Sequence, residues 1–178
     1  MTRRLIAAIA LTLVAAQAYG QVCINEFRIS EPGGDMMNFV ELGGGIDGDS
    51  VSAYTLLSIS TEFNPGEITF ATPLSGMFSN GGFFVSDQNN GGADYFGSPQ
   101  SFVLVDGFTG MAADDLDADD DGVFDAAVPW SSVIASVTLT DGDGDGTPDT
   151  DYGFGVLVGP DGTSVSYTHL TLPTIYSV

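Results

Sequence analysis

Residues 21–164 predict an all-β domain, a sandwich or a barrel. Three observations carry that expectation. Helix signals are nearly absent. Short apolar or alternating runs recur along the whole stretch. The runs are separated by EPGGD, GGGIDGD, NPG, SNGG and QNNGGAD, the Gly, Asn, Asp and Pro chemistry of turns.

Taken in order, the runs predict strands at 22–30, 38–42, 53–60, 67–71, 82–87, 101–105, 132–140 and 152–158. In 132–140, Val133, Ala135, Val137 and Leu139 alternate with Ser, Ile and Thr, the pattern of a half-buried strand. Trp130 follows Pro129 and is expected to pack at the end of the core. Cys23 alternates with apolar neighbours in VCINEF and reads as a buried, inert thiol. As the lone cysteine it excludes an intramolecular disulfide, so the fold rests on its core.

The chain begins with Arg3 and Arg4, an apolar stretch from Leu5 to Ala16, and then small residues. That is the plan of a secretory signal peptide over 1–20, cleaved after Ala18 or Gly20. Its apolar part is too short to span a bilayer. Val22, ahead of Cys23, is not the small residue that a lipoprotein signal places there. The mature protein is therefore expected outside the cell or on its surface, without membrane insertion. The other end, VSYTHLTLPTIYSV over 165–178, resembles a transposase-type sequencing adapter read as codons, and is expected to be non-native and to take no part in the core. The only histidine, His169, falls within it.

Charge narrows the functions. There is no Lys, and once Arg3 and Arg4 leave with the signal, Arg28 alone faces 24 acidic residues. Phosphate backbones are repelled by such a surface, which excludes nucleic acid as a partner. Without His, Lys or a second Cys the usual nucleophilic constellations are excluded too. Glu26 and Glu41 fall on neighbouring strands if 25–28 pairs with 39–42, but no nucleophile and base accompany them; a loop cap or a pair with Arg28 is the expected role.

The acidity is concentrated. Twelve of the nineteen Asp residues lie between Asp114 and Asp151, and the pattern D-x-D-x-D-G-x-x-D occurs there twice. Asp117, Asp119, Asp121 and Asp125 form the first copy; Asp141, Asp143, Asp145 and Asp149 form the second. Calcium takes six to eight oxygens, and carboxylates at alternate positions wrap around one point, with a carbonyl at the seventh position (Val123, Thr147) as a further ligand. Gly122 and Gly146 permit the sharp turn. The closing twelfth-position Glu is missing, since Val128 and Tyr152 stand there; Asp114, Asp115, Asp120 or Asp151 would have to replace it. At least one of the copies is expected to bind calcium, and the second resembles the calcium loops of thrombospondin type 3 repeats.

VCINEFRISEPGGDMMNFVELGG resembles the opening of lamin tail domains, with Ile24, Asn25, Glu26, Asp35, Phe39, Glu41 and Leu42 at the matching positions. DGFTG, DDLDADDDGVFD, PWSSVIASVTL and VGPDGT are similar to a secreted bacterial branch of that family, so the resemblance covers nearly all of 21–164. It implies an immunoglobulin-like β-sandwich that serves as an attachment or interaction module, C-terminally truncated here. The expected function is a non-catalytic secreted or cell-surface module with calcium-binding loops, its partner an extracellular protein or polysaccharide. A calcium-dependent carbohydrate- or matrix-binding domain is the alternative, as is an accessory domain of an exported nuclease or phosphatase. A flat array of exposed aromatics near Trp130 or Tyr152 would favour the carbohydrate reading; burial of both favours the first.

Overall fold

The computed structural model describes residues 20–28, 39–87, 99–125, 127–140, 149–158 and 166–167. The expected signal peptide over 1–19 lies outside them. Nine strands and no helix occur among the described residues: β1 Cys23–Arg28, β2 Phe39–Gly43, β3 Tyr54–Ser60, β4 Ile68–Pro73, β5 Phe84–Asp87, β6 Gln100–Asp106, β7 Ser132–Leu139, β8 Val156–Val158 and β9 Ser166–Tyr167. They form two sheets, ordered β5-β2-β1-β9 and β4-β3-β6-β7-β8. All neighbours are antiparallel except β7 and β8. The expected all-β sandwich is what the chain forms.

The sheets face each other across one core. Ile24, Phe27, Val40 and Leu42 from the four-stranded sheet meet Leu56, Phe102, Leu104, Val137 and Leu139 from the five-stranded one. The period-2 alternation of a strand sends every second side chain inward. β3 and β6 go further and are buried on both faces. Their other residues, Leu57, Ile59, Val103 and Val105, join Ile68 and Leu116 in a second apolar cluster on the outer face of the five-stranded sheet. The apolar runs TLLSI and FVLV suit strands covered on both sides.

Three departures from the sequence reading are local. The expected strand 152–158 shrinks to β8, because Gly153 and Gly155 adopt φ of 73° and 107°, outside the extended region. In β7 the ladder slips between Leu104 and Val105, so the simple alternation fails: Val133 is 43% exposed while Ile134 packs against the inner core beside Ala135. Cys23 is half-buried, its thiol donating weakly to the Gly43 carbonyl, and burial pushes its pKa up. Ser166 and Tyr167, from the tail expected to take no part in the core, run beside β1 opposite Arg28 and Phe27 at the edge of the four-stranded sheet.

Candidate metal centre

The first Asp loop lies in the long connection between β6 and β7. That connection is closed at its base by Ser131 N donating to Asp106 O (2.9 Å) and Thr109 N to Pro129 O (2.8 Å). Its middle folds over the outer face of the five-stranded sheet and roofs the second apolar cluster. Three backbone bonds stitch it to the β3–β4 hairpin and β4: Ile68 N to Asp114 O (2.9 Å), Ala113 N to Ile68 O (2.8 Å) and Leu116 N to Gly66 O (3.2 Å). Leu116 drives into the cluster, with Phe108, Phe124, Trp130 and Phe154 half-buried around it. The next residue, Asp117, is thereby fully buried.

A buried carboxylate needs hydrogen-bond donors, and Asp117 has three. Its Oδ1 accepts Asp121 N at 3.1 Å; its Oδ2 accepts Gly122 N at 2.9 Å and the Tyr152 hydroxyl at 2.8 Å. The chain can curl back this tightly because Asp120 and Gly122 take left-handed φ of 56° and 86°. Gly66 has φ of 88°, and a Cβ there would stand 2.6 Å from that of Asp117. Burial, followed by the Asp117 contact, pushes the Tyr152 phenol well above its ordinary range.

Asp117, Asp119 and Asp125 each bring a carboxylate oxygen within 4.8 Å of the others. Asp119 and Asp125 are exposed, so the cluster opens to solvent. Asp125 is held by Ala118 N donating to its Oδ2 (2.7 Å). Repulsion from Asp121 foremost, and from Asp125 and Asp117, raises the pKa of the solvent-facing Asp119. Such a trio of hard oxygens could hold a metal ion; three carboxylates do not by themselves select which.

The sequence-predicted ligands thus divide. Asp117, Asp119 and Asp125 converge, whereas Asp121 turns its Oδ1 to Val123 N (3.0 Å) and stands outside the trio. The Val123 side chain is exposed. Of the candidates for the missing twelfth ligand, Asp114 accepts Met111 N (2.8 Å), Asp115 accepts Asp117 N (3.1 Å) and Asp151 accepts Gly153 N (2.8 Å). Asp141, Asp143, Asp145 and Thr147 lie outside the described residues. Asp149 is half-buried and accepts a hydrogen bond from the Thr140 hydroxyl.

Tyr152 is the residue that sequence reasoning missed. It counted as the vacancy closing the second loop and as a candidate exposed ring, yet it donates to a carboxylate of the first loop. Phe124 stacks on it at 4.6 Å and 17°, and Trp130 meets Phe124 edge-on at 6.3 Å. These rings are half-buried against one another and form no flat exposed array. Glu26 and Glu41 are direct cross-strand partners, as expected; Glu41 accepts Asn25 Nδ2 at 2.7 Å, and Arg28 stands opposite Phe39.

Compared with family models, curated proteins and solved structures, the chain matches none of them.

Proposed function

We propose that this chain is a non-catalytic extracellular or cell-surface module of the lamin tail kind, in which the loop around Asp117 binds calcium and thereby fixes the roof of the sandwich. One observation carries the reading: the convergence of Asp117, Asp119 and Asp125 at the spacing of a calcium loop. The lamin tail resemblance is supported by the pairing of Ile24, Glu26, Phe39, Glu41 and Leu42 within β1 and β2. The chemistry of the mature stretch, with no His and no Lys, supports a binding role over catalysis. Its partner is an extracellular protein or polysaccharide. The mutual packing of Phe124, Trp130 and Tyr152 removes the stacking platform that calcium-dependent sugar binding would use, and so favours the structural role.

Scanning calorimetry of the chain from Gln21 with calcium, magnesium or chelator tests this. With the closing Glu absent, the dissociation constant is expected at ~10⁻⁴–10⁻³ M, as in extracellular modules. Calcium at a hundredfold excess over that constant then stabilises the folded state by about 2.7 kcal/mol. Magnesium should do less, because it demands tighter octahedral geometry and sheds water reluctantly. One melting temperature in all three conditions would sink the reading.

A further inference from the structure

We propose that the outer face of the four-stranded sheet carries a second binding site, for a small organic ammonium ion on an apolar body. The site is a cavity of about 560 Å³ between β2, β5 and the 75–80 loop, lined among others by Glu41, Met77, Asn80, Phe83 and Val85. That volume is in the range of small-molecule pockets.

Apolar side chains are left in water here in a group. Met77 (64% exposed), from the 75–80 loop, and Phe83 (38%) and Val85 (37%), from the segment that becomes β5, line the same cavity. Beside them stands one carboxylate, opposite Val85 in the ladder. Asn25 Nδ2 holds Glu41 Oε1 at 2.7 Å, which fixes the group and leaves its other oxygen as acceptor. Glu26, the direct cross-strand partner of Glu41, adds a second negative charge on the same face. The rim is built in advance: the Asp47 carboxylate accepts Gly81 N and Gly82 N at 2.9 and 2.8 Å, pinning the turn that carries Asn80 and Phe83.

The lining selects the ligand. A phenyl ring, a thioether and a valine are no shell for a hard metal ion, which wants oxygen throughout. An anion is repelled by Glu41 and Glu26. A neutral apolar guest would strip water from the carboxylate and give nothing back. An ammonium ion satisfies Glu41 by a charge-assisted hydrogen bond and lies against the Phe83 ring, while its stem covers Met77 and Val85.

Titration calorimetry with n-hexylammonium, 1-hexanol and hexanoate, matched in length, tests the assignment. Saturable binding of hexylammonium, at least tenfold tighter than that of hexanol and with none for hexanoate, is expected. Glu41→Gln should weaken hexylammonium by about tenfold or more. Diffuse attraction to an acidic surface cannot mimic this, because the substitution removes one of 24 acidic groups. Met77→Ala, at a solvent-facing position that the fold tolerates, should weaken hexylammonium several-fold with the carboxylate intact. Hexanol binding as tightly as hexylammonium, no saturable binding at all, or unchanged affinity in both variants overturns the site.

Discussion

The two faces of the five-stranded sheet are buried by opposite means. Its inner face meets another sheet, and the cover is made of strands whose backbone groups are satisfied by their own ladder. Its outer face meets a loop in which Leu116 sits between Asp115 and Asp117; backbone bonds tie that loop to β4, and carboxylates accepting backbone N–H groups fold it internally. Both clusters exclude water from β3 and β6. The inner one does so with apolar contact alone, whereas the outer one concentrates like charges at its surface to do the same. The first therefore offers an ion in solution nothing, while the second presents it with carboxylate oxygens.

The largest effect should come from the inner face. Phe102 is fully buried against Phe27, with ring centroids 6.0 Å apart. Phe102→Ala should lower stability by about 3–5 kcal/mol, by the same amount with calcium or chelator. Denaturant titration in both conditions checks it, and a calcium-dependent loss would break the contrast between the faces.

The next effect belongs to the roof. Gly66→Ala forces a side chain into left-handed backbone and against Asp117, and should cost about 1–3 kcal/mol. If the roof lifts to make room, the calcium response in scanning calorimetry disappears with it. Tyr152→Phe is milder: it deletes one of three donors to Asp117 and should cost about 1.5 kcal/mol without metal. A smaller loss in saturating calcium is expected, since the ion replaces the missing donor; equal losses would separate Tyr152 from the ion.

The smallest effect has two signs. The Asp119 carboxyl is raised by its neighbours, Asp121 first, so the folded chain holds that proton more readily than the unfolded chain. Its contribution is favourable below the unfolded pKa and is lost as pH rises through the folded one. Without metal, Asp119→Asn should melt slightly above the native chain at neutral pH, with the difference closing as pH falls into the carboxylate range. With calcium the order should reverse, because the native chain alone gains the ligand. Melting curves across pH, with and without calcium, read both signs.

The strands were legible because each leaves a local mark. Alternation and apolar runs in 53–60 and 101–105 located β3 and β6 to within a residue or so, and turn residues marked the gaps. The β7 slip was not legible, since a bulge is decided by how Ala135 and Val133 register on β6. Asp117, Asp119 and Asp125 were legible through their spacing alone. Asp121 shared that spacing and still lies outside the trio, its Oδ1 accepting Val123 N. The roof was legible only at Trp130, whose expected packing against apolar residues holds; Leu116 and Phe124 lie among polar residues without any period, and only the topology brings them over Val103 and Val105.

The sole tryptophan of the chain, Trp130, belongs to this roof. Its emission is consequently a gauge of one layer, while the inner core, built around Phe27 and Phe102, contributes nothing at that wavelength. Far-ultraviolet dichroism registers both sheets together. Where the two signals move as one during heating, the roof and the sandwich melt as a single cooperative unit; where the fluorescence moves first, the sheet has shed its cover and kept its fold.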